Sequence, residues 1–260
     1  MEKIIKEVNQ IFEKRLHKRL NSKPVFSALE TLELERFYIA GGALLKEEPN
    51  DYDLFPITEN NFKIGWDKEK ESMYKVWETV NSVSFLINNV KIQACKFHNK
   101  SLEELVERFD FTHCKVGAEI ERQNIATPSG KRIAYVIKDL YISQDHLRYR
   151  LLGYSEYCGV QPNDYPLSSL LRVFKYYKRG YIRSSYDVIF KILEAFLERG
   201  YDSQLDFERQ LRGIDLSPED AEQIDENRQA LMHIYYLLTG KTIDDWKVIF
   251  NNSLKIGDKK

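Results

Sequence analysis

Asp51 and Asp53 stand one residue apart in Asn50-Asp-Tyr-Asp-Leu-Phe55, and on a β-strand this spacing turns both carboxylates to one side and Tyr52 to the other. Hard divalent cations such as Mg²⁺ or Mn²⁺ take oxygen ligands of this kind. A two-ion centre would polarise an attacking hydroxyl and neutralise a departing pyrophosphate. Upstream, Phe37-Tyr-Ile-Ala-Gly-Gly-Ala-Leu-Leu45 runs from an aromatic and β-branched stretch into the pair Gly41-Gly42. A turn without side chains ahead of a helix lets backbone N–H groups approach a triphosphate. Each motif alone is common. The succession strand, Gly-Gly, short connector, Asp-x-Asp, apolar strand is far rarer.

Other chemistries find little support. The five histidines show no HxxxH spacing, no GxxxxGK loop occurs, and no Ser-His-Asp grouping can be specified. Simpler roles also exist for the same residues. Asp51 could close a turn begun at Pro49-Asn50. Asp110 could cap a helix or pair with Arg108. Arg172, Lys175, Lys178 and Arg179 have helical spacing and could form a solvated face.

The elements that must position these residues can be read from periodicity. Ile4, Ile5, Val8, Ile11, Phe12, Leu16 and Leu20 predict an amphipathic helix over residues 2–20. Arg36–Ala40 and Tyr52–Ile57 predict adjacent strands joined by a short helix or loop. Residues 60–81 read as partly helical, with Met73, Val76, Trp77 and Val80 on one face. Ser82–Ile87 and Val90–Phe97 predict a hairpin around Asn88-Asn89, a pair that tolerates positive φ. Ser101 with Glu104 three residues later reads as a capping box opening a short helix. Asn124–Ala126 and Arg132–Ile137 predict a small strand pair around Pro128-Ser-Gly130. Beyond about residue 144 the pattern turns helical, at 167–181, 185–199, 205–211, 218–238 and 243–254.

Taken together, these residues resemble the polymerase-β-type nucleotidyltransferase superfamily, in the branch of CCA-adding enzymes and bacterial poly(A) polymerases. There a Gly-Gly turn precedes an Asp-x-Asp strand, as Gly41, Gly42, Asp51 and Asp53 do here. Glu107-Arg-Phe-Asp-Phe-Thr-His113 is similar to the branch's Arg-Arg-Asp-Phe-Thr-Ile-Asn motif. Pro166-Leu-Ser-Ser-Leu-Leu-Arg-Val-Phe-Lys-Tyr-Tyr-Lys-Arg-Gly-Tyr181 is similar to the helix that opens its neck domain. The resemblance covers roughly residues 36 to 181. It implies metal binding by Asp51 and Asp53, triphosphate binding by Gly41 and Gly42, and placement of Arg108 and Asp110 against the incoming nucleotide. Positive charge would come from Arg172 and Lys175.

Several positions depart from that pattern. Ala43-Leu44-Leu45 replaces the branch's Val-Arg-Asp, and the connector to Asp51 is short. Cys114 falls at or near the Asn of the second motif, and no Glu-Asp-x-x-Arg base-selecting motif lies at the matching place in the neck. Many superfamily members carry a third carboxylate on a later strand, where Val90-Lys-Ile-Gln-Ala-Cys95 offers Lys91 and Gln93. Asp110 could compensate, the paired aspartates could bind metal alone, or the site could be degenerate.

Composition sets the outer bounds. With 39 basic and 40 acidic side chains the formal net charge is −1, so the chain is not built as a general polyanion binder. Cys95, Cys114 and Cys158 form no CxxC pair, which suits a reducing cytoplasm. No apolar segment approaches the roughly 20 residues a membrane span needs. The expectation is an α+β chain: an N-terminal helical segment (1–30), a small mixed-sheet nucleotidyltransferase-like head (31–145) and an all-helical C-terminal domain (146–260). Its activity would be transfer of NMP from an NTP to an acceptor hydroxyl, such as an RNA 3′ end. Modification of a protein or small molecule, and a non-catalytic binding module, are the alternatives, and the oligomeric state is open.

Overall fold

The computed structural model describes residues 2–45, 49, 51–57, 75–78, 82–96, 99–127, 130–159, 166–183 and 185–200. The helices expected at 205–211, 218–238 and 243–254 lie outside the described residues, as does most of 60–81.

The chain opens with α1 (Glu2–Leu20), whose Val8, Phe12, Leu16 and Leu20 are buried at helical spacing. Next comes α2 (Lys23–Thr31), where Pro24 occupies the first turn, a position whose N–H has no intrahelical acceptor. Strand β1 (Arg36–Ala40) follows, then a single helical turn, α3 (Gly42–Leu45), and β2 (Asp51–Phe55). Then come β3 (Lys75–Glu78), β4 (Ser82–Ile87) and β5 (Val90–Cys95). Asn88 and Asn89 take φ of 52° and 63°, forming the tight turn between β4 and β5.

Helix α4 (Leu102–Glu107) starts at Ser101, whose hydroxyl accepts from the Glu104 N–H at 3.0 Å. The Glu104 carboxylate reaches back to the N–H of Lys100, one residue earlier than in the usual capping box. A 3-10 turn, Thr112–Cys114, leads into β6 (Val116–Thr127) and β7 (Gly130–Ile142), followed by α5 (Gln144–Leu152), α6 (Pro166–Lys178) and α7 (Ser185–Arg199).

The strands form one sheet in the order β3-β4-β5-β2-β1-β6-β7. Among the described strands only the β2–β5 pair is parallel, so the sheet is mixed and the chain is α+β. One sheet face carries Phe37, Ile39, Tyr52, Leu54, Ile92, Val116 and Ala118, covered by α1, α2 and α3 in a single apolar core. Glu30 ties α2 to the sheet. Its two carboxylate oxygens accept from Arg122 at 2.7 and 2.8 Å, and the Tyr135 hydroxyl donates to it at 2.9 Å.

The other face carries Tyr38, Ala40, Phe55 and Cys95 under Leu102, Leu105 and Val106 of α4. Close approach of α4 requires glycine at 117, because a Cβ there would lie 2.7 Å from Val106. Beyond the sheet, α6 and α7 pack against each other, with Leu170, Val173, Val188, Ile192 and Phe196 buried.

Two sequence expectations need correction. Val76 and Trp77 belong to a strand, β3, and not to a helix. The β6–β7 ladder runs from Val116↔Ile142 to Thr127↔Gly130, well beyond the small pair expected.

Candidate active site

Strand β2 places Asp51 and Asp53 on the same side of the sheet as Phe55, with Tyr52 and Leu54 buried on the other. Both aspartates are partly exposed, while the strand's apolar end is sealed. The Asp-x-Asp alternation therefore does what its spacing implied. The carboxylates are held at the edge of an apolar layer where solvent still enters.

The glycine pair sits at the end of the neighbouring strand. β1 and β2 are antiparallel, with Ile39 opposite Leu54 and Tyr38 opposite Phe55, which brings the Gly41 end of β1 alongside the Asp51 end of β2. Gly41 has φ of +68°, a conformation that costs a residue with a side chain about 1–2 kcal/mol. Its N–H donates to the Val116 carbonyl at 2.9 Å and its own carbonyl accepts from Leu44 at 3.1 Å. At Gly42 no described atom lies within 4 Å of the place a Cβ would occupy. Arg19 of α1 donates to the carbonyl of Ala43 and braces the turn from behind.

On the far side of β2, β5 runs parallel and pairs Asp51 with Lys91 and Asp53 with Gln93. Paired residues share a face, so an ammonium and an amide flank the two carboxylates. The Gln93 amide donates to the Ser82 hydroxyl at 2.9 Å. Among the described residues there is no group of three or more His, Cys, Asp or Glu side chains that could hold a metal ion. As a donor set, two carboxylates on one strand face fit one hard divalent cation, whose other coordination positions phosphate oxygens and water would fill.

The second motif, Glu107–His113, follows α4 and contacts the first through Phe109. Its ring meets Phe55 edge-on, with centroids 6.3 Å apart and planes at 87°, and its Cε1 lies 3.5 Å from where a Gly41 Cβ would be. Arg108 caps α4 and donates to the Asn99 side chain at 3.2 Å. Asp110 is buried. Its Oδ2 accepts from the Ser169 hydroxyl at 2.6 Å and from Arg172 Nη2 at 2.7 Å, so the second and third motifs meet in an ion pair. Ser169 and Arg172 both lie on α6.

Beyond Asp110 the chain enters an aromatic cage. Phe111 forms a bridge with Tyr157, and the His113 ring stacks on Tyr181 with centroids 4.5 Å apart and meets Tyr176 edge-on at 4.3 Å. His113 Nδ1 lies 2.7 Å from the Ser155 hydroxyl. Burial, with His146, Arg179 and Lys175 nearby, holds the His113 imidazole down to about 3, and it is neutral. Burial likewise pushes the Cys114 thiol, 3.3 Å from the Tyr176 hydroxyl, up to about 12. Lys175 is half-buried beside this cage, while Lys178 and Arg179 are exposed.

The structure thus forms two groups of the residues singled out in the sequence. Gly41, Gly42, Asp51 and Asp53 make one; Asp110, Arg172 and, close by, Lys175 make the other. Phe109 links them. Phe109 and Ser169 lie inside the second and third motifs but, like Arg19, received no role of their own, because each acts on a partner far away in the chain.

The fold and these residues define an α+β chain whose mixed sheet carries an Asp-x-Asp pair beside a Gly-Gly turn. The Gabija anti-defense 2 family model matches residues 4–145, more than half of the chain, and the chain belongs to that family. Solved structures similar to it include the Thermotoga maritima CCA-adding enzyme complexed with tRNA, at 16% identity and a TM-score of 0.46, covering 89% of this chain and 56% of that one. A tRNA-processing enzyme is similar in two apo forms. One has 15% identity, a TM-score of 0.41 and coverage of 88% and 57%; the other has 13%, 0.40 and coverage of 90% and 74%. The chain spans a little over half the length of the first two. No curated protein matches it. No described helix is long and apolar enough to cross a membrane.

Proposed function

We propose that the protein is a divalent-metal-dependent nucleotidyltransferase that moves NMP from an NTP to an acceptor hydroxyl. The observation that carries this reading is the placement of Asp51 and Asp53 on one partly exposed face of β2, beside the Gly41-Gly42 turn that ends β1. Residues 31–145 would form the catalytic head and 146–260 the helical half.

In the reaction the acceptor oxygen attacks the α-phosphorus and forms a new P–O bond. The bond from the α-phosphorus to the bridging oxygen breaks, pyrophosphate leaves with that electron pair, and the hydroxyl proton passes to solvent. Bound to Asp51 and Asp53, Mg²⁺ or Mn²⁺ would supply Lewis-acid stabilisation of the charge that develops on the phosphoryl oxygens. The chain's own residues do the rest. The open side of Gly42 admits the triphosphate, the sealed apolar layer behind Phe55 fixes the strand, and Phe109 holds the turn and strand in register.

The acceptor we favour is an RNA 3′ end, and the family description, Gabija anti-defense 2, supports a role directed at that defence system. A second reading, a binding module that keeps the scaffold, draws support from Lys91 and Gln93 where a third carboxylate would stand, and from the burial of Asp110 in its pair with Arg172. Incubation with each α-labelled NTP, Mg²⁺ or Mn²⁺, and total RNA or protein separates the two. Labelling by the wild type that is absent from Asp51→Ala/Asp53→Ala supports transfer; equal labelling by both sinks it.

A further inference from the structure

We infer that Lys91 is part of the nucleotide site and that its ammonium stands where a carboxylate for a second metal ion would be, so that the site takes one divalent cation per nucleotide. The inference rests on the nucleotidyltransferase reading and specifies its charge arrangement.

In the parallel β2–β5 pair Asp51 is matched with Lys91 and Asp53 with Gln93, on strands about 4.8 Å apart and with side chains on the same side. Both β5 side chains therefore leave the sheet on the face that carries the Asp-x-Asp pair. A two-ion centre, with ions about 3.5–4 Å apart, needs a further anion there to bridge or balance the second charge. The chain places a cation and an amide instead, and the amide donates to Ser82. An ammonium repels a second cation at that distance, and it offers donors only.

Three described carboxylates on this side of the sheet are engaged elsewhere. Glu119 is held by Arg36, Glu107 by Lys115 and Tyr141, and Asp110 by Arg172 and Ser169. Lys91 itself is half-buried, as Asp51 is. A compact ammonium beside a carboxylate-held cation is suited to phosphate oxygens, as lysine is in other triphosphate sites. The ligand chemistry is a nucleoside triphosphate bridged by one metal ion, with Lys91 donating to a phosphate oxygen that a second ion would otherwise bind.

The test uses the full chain, Mn²⁺, and the α,β-methylene analogues of ATP, CTP, GTP and UTP in turn, read by electron paramagnetic resonance and by nucleotide affinity. The expected result is one bound Mn²⁺ per bound nucleotide in the wild type, without the splitting of a spin-coupled pair. Lys91→Met should weaken nucleotide binding about 10- to 100-fold, the loss of one hydrogen bond to a charged group, and Lys91→Arg should restore most of it. Lys91→Asp should admit a second, spin-coupled ion. Thermal midpoints of the three variants confirm that each is folded. A spin-coupled pair in the wild type, or unchanged affinity in Lys91→Met, overturns the inference and leaves the nucleotidyltransferase reading standing. Absence of any metal–nucleotide binding by the wild type overturns both.

Discussion

Arg172 Nη2 donates to Asp110 Oδ2 at 2.7 Å, joining residues 62 positions apart and tying the Phe109–Cys114 segment to α6. The Asp110 side chain is 3% exposed and the Arg172 side chain 33%, with the Arg172 Nε itself buried.

Removing the arginine orphans a buried carboxylate, whereas asparagine at 110 still offers Ser169 an acceptor and leaves a cation whose side chain is one-third exposed. Arg172→Met should therefore destabilise by on the order of 3 kcal/mol, and Asp110→Asn by clearly less. Urea denaturation of both single variants and the double variant measures this. A strongly negative coupling, with the double variant more stable than Arg172→Met alone, is the expected outcome. Simple additivity would mean the two do not share one interaction.

The glycine turn separates conformational strain from access. Gly41→Ala forces a side chain into φ of +68°, and it should cost about 1–2 kcal/mol of stability. Gly42→Ala meets no described atom within 4 Å and should leave the thermal midpoint unchanged. If the open side of that turn receives a triphosphate, the same Gly42→Ala change weakens nucleotide binding. A Gly42→Ala protein with wild-type stability and wild-type affinity would remove the turn from the site.

Two neutral histidines give the protein a pH dependence with a defined sign. Burial holds His113 down to about 3 and His146 to about 4, against 6.5 for the free side chain. The lowered values mean that their contribution is present above about pH 6.5 and is lost as the pH falls toward the folded values, because the unfolded chain takes up protons that the folded one refuses. In that window each histidine tilts stability by about 1.4 kcal/mol per pH unit. His146 Nδ1 lies 2.9 Å from the carbonyl of His113 and donates to it, which leaves Nε2 as the unprotonated nitrogen, buried without a described partner. His146→Gln keeps a donor and loses the titration. Chemical denaturation at pH 4.5, 5.5 and 6.5 should show a shallower slope for that variant than for the wild type.

Much of this arrangement was legible in the sequence, and where it was not the reasons are physical. The amphipathic α1, the strands around Gly41-Gly42 and Asp51-x-Asp53, the Asn88-Asn89 turn and the Ser101 cap each follow from local rules that neighbouring residues satisfy. Helix α2 was missed because its Ser22 N-cap makes no side-chain cap bond and it spans only nine residues. For β3, Val76 and Trp77 fit either period, since four residues are too few to separate 2 from 3.6. The length of β6 and β7 was hidden because the outer end of β7 is exposed and the residues of β6 that face it are at most partly buried, so pairing is fixed by backbone bonds and not by an apolar pattern. In α5 only His146 and Leu147 are buried, which gives no stripe to read. At the site, the shared face of Asp51 and Asp53 came from period two alone. The Asp110–Arg172 pair and the Phe109–Gly41 contact did not, because both depend on how distant segments come together.

The central claim is that Asp51 and Asp53 support nucleotidyl transfer, and position-specific labelling of the NTP tests it most directly. With Mg²⁺ or Mn²⁺ and the acceptor fraction, label in the α-phosphate should become acid-insoluble while label in the γ-phosphate is released as pyrophosphate. Asp51→Asn/Asp53→Asn, folded by its thermal midpoint, should lose at least about a thousandfold of this activity. Retention of α-label by wild type and double variant alike, or γ-label in the acceptor, would contradict the account.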